Sequence, residues 1–191
     1  MREPLLYRIV RPIIRFLFLV IYRPVIIGQE NVLDGKVVLA GNHTNNLDCI
    51  LLISSVKRVV HFLAKDELLH GPFGFIFKSM GIIPVNRRIH DKEALASAIK
   101  CLNEDKVVGI FPEGTFNKSD NLILPFKIGA VKMASETGCQ IVPFVIKGKY
   151  KPFRRGIKLE FLKPISIPNV KDLTKYNEKL QDIICDGLRK E

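Results

Sequence analysis

The sequence has no tryptophan and only four tyrosines. A surface that stacks nucleic-acid bases would have to rest on phenylalanine. Its four cysteines, Cys49, Cys101, Cys139 and Cys185, lie far apart and form no Cys-x-x-Cys pair. That spacing excludes a zinc knuckle or a thioredoxin-like redox motif, and widely spaced thiols read as small buried hydrophobes of a reduced, cytosolic chain. No serine stands in a Gly-x-Ser-x-Gly nucleophile elbow, which favours direct proton abstraction from a bound alcohol over a covalent enzyme intermediate. There is no run of about 20 apolar residues long enough to cross a bilayer. Acids are scarce: 19 Asp and Glu stand against 30 Lys and Arg, a net charge of +11. A field of that sign attracts phosphates, whether of nucleic acid, lipid headgroups or a small substrate. What is plentiful is apolar: 47% of the 191 residues are hydrophobic. That is enough for one domain with a real core.

Residues 5–27 are strongly apolar but are interrupted by Arg8, Arg11, Arg15 and Arg23. The interruptions, with no small-residue cleavage site after them, exclude a signal peptide. At about 100° per residue, Leu5, Leu6, Ile9, Ile13, Phe16, Leu17 and Val20 share one sector, and Arg8, Arg11 and Arg15 lie together opposite. The spacing predicts an amphipathic helix over residues 1–24, lying on an anionic membrane surface without crossing it. Pro12 should kink or split it. The alternative is a helix packed on its own domain with its arginines in water.

From residue 25 onward apolar strand-like runs alternate with helical patterns. Strands are expected at Lys36–Ala40, Arg58–Ala64, Ile82–Asn86, Val107–Phe111, Ile141–Ile146 and Ile157–Leu162. Helices are expected at Leu47–Ser55, Asp91–Asn103, Pro125–Thr137 and Thr174–Arg189. Lys147–Arg155 reads as a basic loop. This alternation predicts an α/β domain over residues 25–191, a mixed, largely parallel central sheet flanked by helices.

Chemistry gathers where parallel strands end. One such loop, after Lys36–Ala40, holds Asn42, His43 and Asp48. Another, after Val107–Phe111, holds Pro112-Glu113-Gly114-Thr115. His43 is suited to take a proton from a hydroxyl near neutral pH, and Asp48 to fix its tautomer. Five residues apart is not one face of a helix, so the pair needs the turn between strand and helix. His61 and Asp66 share the spacing, but His61 lies within an apolar strand-like run and reads as structural. His70 and His90 also read as structural.

Four ordered motifs resemble those of the glycerolipid acyltransferases: Asn42-His43-x-x-x-x-Asp48, Gly81-Ile82-Ile83-Pro84-Val85-Asn86-Arg87, Phe111-Pro112-Glu113-Gly114-Thr115 and Ile141-Val142-Pro143. Within that group the resemblance is to the bacterial 1-acyl-sn-glycerol-3-phosphate acyltransferase family. It covers about Val25 to Lys163 and includes Pro125-Phe126-Lys127-x-Gly129.

The resemblance implies a base, His43, held by Asp48. Asn42, Arg87, Glu113, Gly114, Thr115, Lys127 and Pro143 are expected around the substrates, with Arg87 on the acceptor phosphate and Pro143 toward the acyl or thioester side. The implied donor is acyl-CoA or acyl-carrier protein, and the implied acceptor is lysophosphatidate, giving phosphatidic acid at the cytoplasmic face of the cell membrane. Neither metal nor organic cofactor is implied, and no nucleic acid. Phe116 stands where the family commonly has a basic residue, which leaves another lyso-lipid or alcohol open as acceptor. Two other classes fit parts of the chain. A thioesterase or lipase-type hydrolase would put water in place of the acceptor. A non-enzymatic membrane binder would account for the charge but not for the His43 loop.

Overall fold

Val37, Val38, Leu39 and Ala40 are apolar at every position, and all four are buried. A strand apolar on both faces is one that is covered on both. This strand, β2 (Val37–Gly41), lies inside an eight-stranded sheet and pairs in parallel with a neighbour on each side. A computed structural model describes residues 5–65, 70, 82–85 and 92–190. Its elements are α1 (Leu5–Tyr22), β1 (Val25–Ile27), β2, α2 (Asp48–Ser55), β3 (Val60–Lys65), β4 (Ile83–Val85), α3 (Lys92–Asn103), β5 (Val107–Ile110), α4 (Gly129–Thr137), β6 (Gln140–Gly148), β7 (Ile157–Phe161), β8 (Ile165–Ser166) and α5 (Thr174–Arg189).

The sheet order is β1-β7-β6-β2-β5-β3-β4, with β8 also on β6. The pairings of β6 with β7 and with β8 are antiparallel, and the others are parallel. This is the expected mixed, largely parallel sheet. Val38, Ala40, Val108 and Ile141 face a core closed by α3, α4 and α5. Val37, Leu39, Val142 and Phe144 face a second core closed by α2 and by Phe18 of α1. Because β2, β5, β3 and β4 run parallel, their carboxyl ends share one edge of the sheet.

Several boundaries differ from the expected ones. β1 and β8, of three and two residues, lie outside the expected strands. The expected helix over Pro125–Thr137 begins only at Gly129. The amide of Phe126 donates to Gln181 Oε1 at 3.1 Å, and that of Lys127 to the Pro112 carbonyl at 2.9 Å. Those donors are bonded to other segments, and the helix begins after them. Helix α1 runs unbroken through Pro12.

The orientation of α1 inverts the packing alternative. Arg11 faces the domain, while Arg15 is exposed. Arg11 donates to the carbonyl of Lys57 at 2.7 Å, to that of Val56, and to that of Ile53 at 3.5 Å. These are carbonyls at the end of α2, where a guanidinium satisfies orphan acceptors and the negative end of the helix dipole. Phe18 is buried on the same side. Ile9, Ile13, Phe16, Leu17 and Val20 are exposed, Phe16 to 66%. The apolar sector therefore points away from the domain. Among the described residues, no helix is long and apolar enough to cross a membrane.

Candidate active site

The site forms where β2 ends and α2 begins. Gly41 closes the strand where a Cβ would lie 2.3 Å from the Phe144 ring, so the backbone there passes directly over that ring. Residues 42–47 then turn the chain, and the first residue of α2 reaches back across the turn. Asp48 Oδ2 accepts from the Thr44 amide at 2.6 Å, the Asn45 amide at 2.8 Å and His43 Nδ1 at 3.0 Å. The turn thus brings together the two groups that helical spacing alone would keep apart. The Asp48 side chain is fully buried. An isolated charge there would be costly, but these donors and the N-terminal end of α2 offset its desolvation. A carboxylate only accepts, so Nδ1 carries the hydrogen and Nε2 is left with a lone pair.

The imidazole is also fixed by its faces. The Phe111 ring lies parallel to it, centroids 3.9 Å apart and planes 10° apart. The Phe116 ring covers it at 4.3 Å, tilted by 55°. Phe111 stands directly after β5 and Phe116 five residues later, so the loop after β5 builds both walls. The Asn117 amide donates to the His43 carbonyl at 3.2 Å and anchors that loop.

Glu113 joins the two loops. Its Oε1 accepts from the His43 amide and its Oε2 from the Leu124 amide, both at 2.8 Å. Burial pushes its carboxyl above the ordinary carboxylate range, against the lowering effect of those two hydrogen bonds. Both oxygens are engaged by backbone, so this side chain holds His43 in place. Asn42 is engaged likewise: its Nδ2 donates to the Ile146 carbonyl at 2.9 Å, and its Oδ1 accepts from the Ile146 amide at 2.8 Å. It extends the β2–β6 pairing one step beyond Gly41.

The rest of the expected set divides in two. Gly114 has φ +70°, and a Cβ there would come within 3.0 Å of Lys127 Cε and Nζ. The Lys127 ammonium therefore lies over the Gly114 backbone, beside the exposed Thr115. Those three residues form the open rim of the site. Pro143 lies buried within β6, opposite Ala40, and its carbonyl accepts from the Leu162 amide at 2.8 Å. It belongs to the sheet rather than to the rim. Arg87 and its neighbour Asn86 lie outside the described residues, as do Asp66 and His90. β4 ends at Val85, on the same sheet edge as His43. His61 sits on β3 opposite Val108, away from the dyad.

Tyr150 was not among the expected site residues. Its hydroxyl donates to Asp48 Oδ1 at 2.6 Å. Its ring packs edge-on against Phe18 at 6.2 Å and Tyr22 at 5.5 Å, both on α1. Burial, followed by the Asp48 charge, pushes its phenol well above the usual tyrosine range, so it stays a neutral donor. In sequence it is one residue of a basic stretch about 100 positions from Asp48, and no local pattern marks it.

A buried His–Asp pair at the carboxyl edge of a parallel sheet is an arrangement for activating a hydroxyl. The family model described as Acyltransferase matches residues 23–147. The chain belongs to the acyltransferase family and is an O-acyltransferase. Its similarity lies with proteins named 1-acyl-sn-glycerol-3-phosphate acyltransferase. One from Borreliella burgdorferi is 33% identical over 87% of this chain and 70% of its own length. One from Saccharomyces cerevisiae is 31% identical over 86% and 59%, and one from Bacillus subtilis 32% over 63% and 61%. The chain thus spans about 60–70% of these relatives. The crystal structure of the 1-acyl-sn-glycerophosphate acyltransferase PlsC from Thermotoga maritima shares the fold. Its TM-score is 0.75 at 23% identity, over 94% of this chain and 77% of that one.

Proposed function

We propose that the protein transfers a fatty acyl group from an acyl thioester to the free hydroxyl of 1-acyl-sn-glycerol 3-phosphate, giving phosphatidic acid and a free thiol. The observation that carries this reading is the His43–Asp48 contact at 3.0 Å, with Nε2 left to act. Nε2 takes the hydroxyl proton as the oxygen attacks the thioester carbonyl. The tetrahedral intermediate collapses, the carbon–sulfur bond breaks, and the departing thiolate recovers the proton from His43. A positioned base of this kind is worth about 10²–10⁴ in rate.

Phosphate binding falls to the rim. It is assigned to Lys127 and Thr115, and to Arg87, two residues past β4 in sequence, whose guanidinium matches the geometry of a phosphate. The donor thioester is carried by coenzyme A or acyl-carrier protein. The outward apolar sector of α1 rests on an anionic membrane, on the cytoplasmic leaflet, where such thioesters are available. Phe116, which occupies space beside the base, favours an acceptor that approaches from the Lys127 side.

The test is a product assay with lysophosphatidate, lysophosphatidylethanolamine and no acceptor, each with acyl-CoA and acyl-carrier protein. Phosphatidic acid should form with one or both donors. Thiol release without acceptor at the full rate would instead make the protein a thioesterase. Arg87→Ala should lower acceptor efficiency about ten- to a hundredfold with little effect on the donor.

A further inference from the structure

The hairpin between β6 and β7 ends in a turn that presents an aromatic ring to solvent. The Lys149 amide donates to the Gly156 carbonyl at 2.7 Å and closes the stem. The Arg154 amide donates to the Lys151 carbonyl at 3.3 Å and closes the turn, with Pro152 and Phe153 at its centre. Phe153 has φ 58°. A turn that begins with proline and needs positive φ next is ordinarily filled by glycine. A bulky side chain there is strained, and the ring gains no burial in compensation: it is 65% exposed.

Helix α1 holds the turn. The Phe153 amide donates to the Ile21 carbonyl at 2.5 Å, one residue past Val20, the last member of the exposed apolar sector. Beside this contact a cleft of about 510 Å³ is lined by Arg23, Pro24, Val25 and Arg155. Lys149, Lys151, Arg154 and Arg155 make the turn strongly cationic, and residues 149–156 contain no acid.

We propose that this turn is a second membrane contact, in which Phe153 enters the headgroup boundary of an anionic bilayer and the Arg23–Arg155 cleft receives a lipid phosphate. The proposal deepens the reading that α1 lies on a bilayer and rests on it. Charge complementarity selects the partner: an aromatic ring ringed by cations matches a surface that is apolar beneath and anionic at its boundary. Continuity with α1 supports the same choice. A lone surface helix can roll about its own axis, and a second point tied to the carboxyl end of α1 stops that roll. The active site is then held at one angle to the lipid.

Because the chain has no tryptophan, Phe153→Trp places a single indole at the turn. Its emission should shift to the blue on adding phosphatidylcholine–phosphatidylglycerol vesicles and be quenched by lipids brominated on the acyl chains. Phe153→Ser should weaken binding to those vesicles roughly tenfold. Arg155→Gln and Arg23→Gln should each weaken it about fivefold, and by less on pure phosphatidylcholine, whose phosphate carries no net surface charge. Phe16→Ser with Leu17→Ser serves as the α1 arm. If that pair loses binding while Phe153→Ser binds normally, the turn proposal fails and the α1 reading stands. If neither arm changes binding, both fail. A blue shift that grows with protein concentration without vesicles would give the turn to a second copy of the chain and overturn the proposal.

Discussion

The hydroxyl of Tyr150 donates to Oδ1 of Asp48 at 2.6 Å, while Oδ2 of the same carboxylate holds Nδ1 of His43 at 3.0 Å. The ring of Tyr150 lies in turn against Phe18 and Tyr22 of α1. One phenol therefore joins the N-terminal helix to the acid that orients the base.

Tyr150→Phe keeps the ring and removes only the donor. We expect kcat to fall about tenfold, since a hydrogen bond to a charged group is worth about 1.5–3 kcal/mol, with KM for acceptor and donor unchanged. Tyr150→Ala should also lower the melting temperature by emptying the contact with Phe18 and Tyr22. Steady-state kinetics beside thermal melts separate the two. A Tyr150→Phe protein with normal kcat would show that the hydroxyl does not help to position the dyad.

Glu113→Gln leaves one of two backbone amides facing another donor. It should cost about 1–3 kcal/mol of stability and loosen the loop over His43. The pH dependence has a definite sign. Burial raises the folded-state carboxyl above its ordinary range. A raised value contributes stability that is fully present below the unfolded value and is lost as pH rises through the folded one. Urea unfolding should thus show the stability of the intact chain falling as pH rises through the raised value, a trend that Glu113→Gln should lack. The same slope in both chains would contradict this.

Gly114→Ala puts a Cβ at φ +70° and against Lys127. The backbone term alone should cost about 1–2 kcal/mol. The displaced Lys127 should lower acceptor kcat/KM more than donor kcat/KM. Thermal melts and acceptor titrations check both parts.

Phe116→Ala uncovers one face of His43. Water should then compete with the acceptor, so acyl-thioester hydrolysis should rise relative to transfer. The ratio of free fatty acid to acylated product measures it. An unchanged ratio would mean that the ring does not exclude water.

The alternation of strands and helices was legible because the parallel strands are apolar at consecutive positions and α3 and α5 are amphipathic. The His43 and Glu113 loops were legible because each follows such a strand directly. β1 and β8 were not, since two or three residues carry no period. Periodicity defined the two faces of α1, but it could not say which one meets the domain. The answer lay in Arg11, whose partners are carbonyls at the end of α2. Asn42 and Glu113 were expected toward substrate, yet both spend their polar atoms on backbone, a choice that depends on strands distant in sequence. Tyr150 reaches Asp48 only because the β6–β7 hairpin folds back over α2.

The central claim is that His43 is the base. His43→Ala should lower kcat by about 10²–10⁴ while the chain still folds and melts cooperatively, at a lower temperature because the ring contacts are lost, and His61→Ala, on β3, should keep normal turnover. Measured together on lysophosphatidate and acyl-CoA, an inactive but folded His43 variant beside an active His61 variant is the result predicted here. A His43→Ala protein that makes phosphatidic acid at the intact rate would contradict it.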